Sequence, residues 1–470
     1  METSAPSPLN AQQLGELKSL VPGDSIHTDS DSLATYGRDW TKYYDIKPGA
    51  IAFPRTAEQI ASIVKWARKN KIGIVPSGGR TGLSGGACAL KGEIVVSLEK
   101  MNRILDFNPI DRTVTCEAGV VTEALQQYVR DQGFLFPVDF AARGSSQIGG
   151  NIATNAGGIK VLRYGNMREW VSGLKVVTGT GEILELNRGL VKNATGFDFR
   201  HLFTGSEGSL GFIAEATLRV TTPTKPVTVL VLGVPDLDSI MQVFRAFRDQ
   251  VPLTAFEFFS DLALKVVMKH AHLQKPFATE VENYLVVEVE NTDDSTEAKV
   301  LEIFESCVEK GWVVDGSIAQ SDTQARDFWR LREDISEATA PYTPYKNDIS
   351  VTISKVPAFL RETEAVLKKN YPDFEVVWFG HIGDGNMHIN ILKPEGLSRD
   401  KFLEKCKGAS DLLFDVIAKL GGSISAEHGV GLLKKDFLQY TRSPVEIDLM
   451  KGVKKVFDPD GIMNPGKIFD

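Results

Sequence analysis

Apolar positions change their period along the chain, and each change marks an element. Ala50–Phe53 is a short apolar run closed by Pro54. Thr56 stands as an N-cap with Gln59 three residues on, a capping-box spacing. Ile60, Ile63, Val64 and Ala67 then recur at i, i+3, i+4 and i+7, one face of a helix. Ile72–Val75 returns to strand, which completes a β-α-β unit. Glu93–Leu98 and Thr113–Ala118 predict strands, and Thr122–Gln132 a helix stopped by Gly133. Leu174–Thr178 and Phe212–Val220 are further strands, and Pro223 and Pro226 punctuate a boundary. Beyond it, strand-like Val227–Val234 and Tyr284–Val289 alternate with helix-like Leu237–Gln250 and Ser295–Lys310. This alternation predicts an α+β domain whose sheet is covered by helices. A charged helix over Thr323–Thr339 and strands at Lys346–Ile353 and Val376–Phe379 follow. Ahead of Ala50 lies a polar lead-in with one helix near Ala11–Leu20.

Three glycine-rich stretches interrupt this pattern. The first is Pro76-Ser-Gly-Gly-Arg-Thr-Gly-Leu-Ser-Gly-Gly-Ala87. A strand follows it, whereas a Rossmann glycine loop opens a helix whose N-terminus binds pyrophosphate. A nicotinamide-type reading is therefore weak, and an anion-binding nest of backbone N–H groups is the better one. The second is Gly144-Ser-Ser-Gln-Ile-Gly-Gly-Asn-Ile-Ala-Thr-Asn-Ala-Gly-Gly158, whose small residues let backbone approach a ligand. The third is Gly205-Ser-Glu-Gly-Ser-Leu-Gly211. One glycine loop is more often a plain turn; three in one domain point towards a dinucleotide site.

Composition narrows the class. The 470 residues are 42% hydrophobic and 24% charged, the make-up of a globular protein of about three domains' length. A net charge of -8 would repel polyphosphate, so nucleic acid is not an expected partner. No apolar run approaches the ~20 residues of a membrane helix, and residues 1–10 lack a secretory pattern. Cys88, Cys116, Cys307 and Cys406 are far apart. Structural disulfides are not expected, and a reducing cytoplasm fits.

The candidate chemistry sits late in the chain. His381 and His388 lie in Gly380-His-Ile-Gly-Asp-Gly-Asn-Met-His-Ile-Asn390, a spacing of a turn followed by a strand. His388 and Asn390, two apart, share a strand face. His428 follows Glu427 in Ser425-Ala-Glu-His-Gly-Val-Gly431. Imidazoles and a carboxylate in glycine-rich loops are material for a zinc-type site with an open position. On spacing alone, turn or surface residues are the commoner reading. His27, His201, His270 and His272 have no such company. Among the cations, Arg332 and Ser336 are i and i+4 on the predicted charged helix. Lys346 opens an apolar, β-branched strand, where an edge-strand gatekeeper is the plain alternative.

Taken in order, these motifs and the closing Asn464-Pro-Gly-Lys467 resemble the flavin-dependent D-2-hydroxyacid dehydrogenases. That family belongs to the vanillyl-alcohol-oxidase/p-cresol-methylhydroxylase (PCMH) superfamily. The resemblance covers about Lys47 to Phe469. It implies an α+β fold: a two-subdomain PCMH-type FAD-binding domain, an α+β substrate domain, and a C-terminal segment returning to the flavin. The corresponding spans are a lead-in at 1–45, the FAD domain at 46–223, the substrate domain at 224–420 and the closing segment at 421–470.

The resemblance implies FAD held by Pro76, Gly78, Gly79, Arg80, Thr81, Gly82 and Leu83 in the first stretch. Gly144, Ser145, Gly149, Gly150, Asn151, Thr154, Asn155, Gly157 and Gly158 would hold it in the second, with Gly208, Ile213 and Asn464 beyond. The first stretch has Arg80 and no histidine, so non-covalent FAD is expected, with a link through Cys88 as the lesser alternative. The resemblance further implies zinc or another divalent transition metal on His381, His388 and Glu427, with His428 as catalytic base. Arg332, Ser336 and Lys346 would hold a distal carboxylate, with Asn390 and His428 also at the substrate. That pattern points to a small dicarboxylate hydroxy acid, D-2-hydroxyglutarate with D-malate as the shorter candidate, oxidised to the 2-oxo acid. A D-lactate or glycolate dehydrogenase is the alternative on the same scaffold; a zinc hydrolase and a non-catalytic binding protein are the rivals outside it. By analogy the electron acceptor is electron-transfer flavoprotein or a quinone, and the assembly a homodimer.

Overall fold

The computed structural model describes residues 9–41 and 43–470, so the reading of the first eight residues lies outside it. Two units form. The first takes the described residues up to Gly157, Asn166–Pro223 and Glu427–Asp470; the second takes Gly158–Gly165 and Thr224–Ala426. Among the described residues no helix is long and apolar enough to cross a membrane.

The first unit contains two sheets. Ile26–His27, Ala50–Ala52, Ile94–Ser97 and Ile74–Ser77 lie side by side in that order, the last three parallel. The expected helix spans Ala57–Asn70 and buries Ile60, Ile63, Val64 and Ala67. Thr56 caps it by accepting the N–H of Gln59. The reciprocal bond differs from the predicted box: Gln59 Oε1 accepts from the N–H of Arg55, one residue earlier than the cap. The second sheet is antiparallel, in the order Ile104–Asn108, Thr113–Glu117, Gly211–Arg219, Val171–Thr178, Ile183–Leu186. One continuous apolar core, from Ile60 and Ile94 to Val114 and Phe212, joins the two sheets. These two sheets are the two subdomains expected of this part of the chain.

The second unit is built on one seven-stranded antiparallel sheet. Its order is Asp315–Ile318, Val227–Val234, Asn283–Glu290, Leu253–Ser260, Val376–His381, Asn386–Ile391, Tyr345–Ser350. Register sorts the side chains into two faces, because successive residues of a strand point oppositely. Lys346 pairs with Asn390, Asp348 with His388, His388 with Phe379, and Asn386 with His381. One face therefore carries Lys346, Asp348, Asn386, His388, Asn390 and His381. Its other half is apolar: Val229, Val231, Phe259 and Val286 pack on Ala263, Val267, Phe328 and Leu331 from covering helices. The opposite face is apolar under Ile391, packed against Phe402, Cys406 and Ala409 of the long helix Arg399–Leu420.

The charged helix differs from the sequence reading. It runs over Asp322–Glu333, turns at Asp334 and resumes as Ile335–Ala338. Arg332 is buried and Ser336 exposed, so the uninterrupted i, i+4 geometry expected of them is lost at the break. The expected strand Lys346–Ile353 is Tyr345–Ser350, followed by a 3₁₀ turn at Ile353–Lys355.

Candidate functional site

In the first unit the glycine stretches converge. No helix follows the first one, as its sequence predicted. Gly79 lies so close to the second stretch that a Cβ there would sit 2.1 Å from the carbonyl oxygen of Ser145. A Cβ at Gly78 would meet Gln147 at 3.5 Å, and one at Gly208 would meet Pro76 at 2.8 Å. The second stretch contains the short helix Ile148–Thr154, not foreseen in the sequence. Gly149 is the reason it can form there, since a Cβ would press to 2.7 Å on Ala118. Arg80 takes a left-handed φ of 59° and lays its guanidinium over the ring of Tyr36 at 4.3 Å.

The C-terminal segment joins the same place. The N–H of Asn464 donates to Ile74, and its side-chain amide donates to the carbonyls of Gly86 and Glu207 at 2.9 and 2.7 Å. Ser77 Oγ, Gln147 Oε1 and Asn464 Oδ1 are buried without a hydrogen-bond partner among the described residues. Orphaned polar atoms among glycines too tight for side chains are what a polar, close-packed cofactor would satisfy. These unmatched acceptors, set among close-packed glycines, fit the N–H and hydroxyl donors of FAD. Cys88 is buried, donates to Asp39 at 3.5 Å, and burial pushes its thiol up, which disfavours the thiolate a covalent link would need.

Sequence reasoning missed Glu207. It is half-buried, with φ 50°, and its two carboxylate oxygens accept the N–H groups of Val430 and Gly431 at 2.7 and 2.8 Å. Burial pushes its carboxyl up against the pull of those two donors and of Lys434. The loop directly after His428 is thus held by a carboxylate of the third glycine stretch. Ser84 of the first stretch accepts from Leu432 and Leu433 just beyond. Lys467 is buried too, and desolvation lowers its ammonium to about 8 despite Glu93, Cys88 and Asp39 nearby.

In the second unit the two predicted imidazoles meet. The rings of His381 and His388 stand 5.3 Å apart, edge to face. His381 Nδ1 lies 2.9 Å from the carboxylate of Glu257, which is 2% exposed. His388 Nδ1 lies 3.6 Å from Asp348. At His381 the hydrogen-bonded carboxylate on Nδ1 leaves Nε2 as the atom bearing the lone pair, as is usual for a metal-binding histidine. Asp348 does more. One oxygen accepts from Asn386 at 2.8 Å, and the other accepts the backbone N–H of Ala426 at 3.1 Å. Ala426 is the last residue of this unit; Glu427 and His428 are the next two in the chain.

The cations divide into two kinds. Arg332 is 5% exposed, lies over Phe379 at 5.0 Å, and meets Glu257 at 2.9 Å. Lys346, opposite Asn390 in the register, is mostly desolvated, and burial alone lowers its pKa. No ion pair of Lys346 occurs among the described residues. The amide of Asn390 donates to Thr339 Oγ1 at 3.2 Å. A half-buried ammonium without a counter-ion is a site waiting for an anion.

Comparison with known proteins agrees with this geometry. A family model described as "FAD binding domain" matches residues 48–187, and "FAD linked oxidases, C-terminal domain" matches 224–468. The chain is 57% identical to a D-2-hydroxyglutarate dehydrogenase of Stutzerimonas stutzeri over 97% of its length and 98% of that protein's. It is 56% identical to one of Xanthomonas citri pv. viticola over 97% and 96%. The fold of substrate-bound p-cresol methylhydroxylase matches with a TM-score of 0.75 at 17% identity, covering all of this chain and 99% of that one. With a cradle for a flavin, an imidazole pair and full-length relatives of this kind, the chain belongs to the FAD-linked oxidase family.

Proposed function

We propose that the protein oxidises D-2-hydroxyglutarate to 2-oxoglutarate, using non-covalent FAD and a divalent metal, zinc or a similar transition ion. The observation that carries the reading is Lys346: a desolvated ammonium with no counter-ion among the described residues, on the same sheet face as His381, His388 and Asn390. Full-length relatives at 57% and 56% identity that are D-2-hydroxyglutarate dehydrogenases support it.

Each residue then has a task. When bound, FAD supplies the acceptor for the Cα hydrogen and its electron pair, and the metal supplies the positive charge that acidifies the alcohol. His381, His388 and Glu427 would hold that metal, and Glu257 would orient the His381 imidazole. His428 takes the hydroxyl proton on its imidazole, whose ordinary pKa near 6.5 suits a base at neutral pH. Lys346 holds the distal carboxylate, with Asn390 two residues from His388 fixing the substrate's other end. D-malate, one methylene shorter, is a second substrate. Arg332 is already matched by Glu257 and acts on the substrate less directly than Lys346. The proposed acceptor of electrons is electron-transfer flavoprotein or a quinone, and the proposed setting the cytoplasm.

Anaerobic mixing with a panel of D- and L-hydroxy acids tests the reading. D-2-hydroxyglutarate should bleach the flavin absorbance fastest, and chelation should slow the bleaching. Equal rates with D-lactate would remove the dicarboxylate assignment, and indifference to chelation would remove the metal.

A further inference from the structure

The buried carboxylate of Glu257 is used twice. It faces His381 Nδ1 at 2.9 Å and Arg332 Nη2 at 2.9 Å, and all three side chains are nearly or wholly out of solvent. It sits in the strand Leu253–Ser260, between Phe256 and Phe258, where an unpaired carboxylate would be costly. The Arg332 contact is close without hydrogen-bond alignment: Arg332 Nε and Nη2 and Glu257 Oε2 have no aligned partner. The aligned bond goes to His381.

We propose that Glu257 is a positioning residue that fixes the tautomer and direction of His381, and that its grip on Arg332 ties the metal seat to the helix Asp322–Glu333. This rests on the reading of His381 as a metal ligand. An ionised carboxylate on Nδ1 keeps the proton there, so the Nε2 lone pair is directed at the ion and made more basic.

The test is zinc titration calorimetry on the full-length, FAD-loaded protein after chelator stripping. Glu257→Gln, nearly isosteric, should weaken zinc binding by roughly 10- to 100-fold while flavin content stays near wild type; the melting temperature should fall, since Arg332 loses its buried counter-charge. His381→Asn should abolish that binding. If His381→Asn leaves zinc binding unchanged, the ligand reading fails and takes this inference with it. If His381→Asn loses zinc and Glu257→Gln does not, the inference about Glu257 alone is overturned. Should the glutamine variant not fold, the wild-type protein still decides. With ¹⁵N-histidine labelling, the His381 resonance should report a proton on Nδ1, and a proton on Nε2 in the metal-free state overturns the proposal.

Discussion

Lys346 and Asn390 face each other across neighbouring antiparallel strands, one a desolvated ammonium and the other a buried amide. A distal carboxylate bound there would replace the water that Lys346 has lost. Lys346→Ala should therefore raise KM for D-2-hydroxyglutarate by roughly 10- to 100-fold, as expected for one charge-assisted hydrogen bond. D-lactate, with no second carboxylate, should be little affected. The pH dependence follows in sign. Burial lowers the pKa of Lys346, and only its protonated form binds an anion. KM for the dicarboxylate should thus climb on the alkaline side earlier than an ordinary lysine would allow, while KM for D-lactate should not.

Glu207 accepts two backbone N–H groups from the loop that follows His428. Glu207→Gln keeps one acceptor and turns an amide N–H₂ towards the other donor. A buried donor left unmatched costs about 1–3 kcal/mol. The melting temperature should fall by several degrees and kcat should fall with it, since the loop carrying His428, the proposed base, is loosened. Thermal melts followed by flavin fluorescence, paired with turnover, measure both.

Two glycines of the cradle should behave differently. At Gly79 a Cβ collides with Ser145, so Gly79→Ala should damage folding and flavin uptake together. At Gly150 a Cβ would meet no protein atom within 4 Å, and alanine is the better helix former. Gly150→Ala should fold as well as wild type yet hold less FAD, because the space is kept for the cofactor. The ratio of flavin to protein absorbance and the apoprotein's denaturant midpoint separate the two outcomes.

Lys467 links pH to stability. Its ammonium drops from 10.5 to about 8 on folding. Below 8 both states are protonated and the folded one bears the whole cost of the buried charge. Between 8 and 10.5 the unfolded chain keeps the proton that the folded chain has lost, so this group's contribution to stability rises with pH. Its full span is on the order of 3 kcal/mol. Lys467→Met should be the more stable protein near neutrality, with the gap closing as pH rises past 9, read from denaturant midpoints across that range.

What the sequence made legible was local. The β-α-β unit, the strand rather than helix after the first glycine stretch, and the hairpin with His388 and Asn390 on one face all depend on neighbours a few residues apart. Lys346 stood out because a lysine is unexpected at the head of an apolar strand. Glu257 and Glu207 did not stand out, because their partners are remote: His381 lies 124 residues from the first, and Val430 lies 223 from the second. The available signal for Glu257 was a lone acid inside Thr254-Ala-Phe-Glu-Phe-Phe259. The break at Asp334 was hidden for another reason. Helical spacing runs on through it, and only packing separates buried Arg332 from exposed Ser336.

The pairing of Val376–His381 with Asn386–Ile391 also limits how this region can evolve. One residue gained or lost between the turn at 382–385 and His388 would shift the phase of the second arm. His388 and Asn390 would then point into the oily layer, and Met387 and Ile389 would take their places beside Asp348 and Lys346. Substitutions here can be graded one at a time, but an insertion exchanges every polar position for a greasy one in a single event. Homologues that retain this chemistry should therefore keep the length of this hairpin more strictly than the identity of its turn.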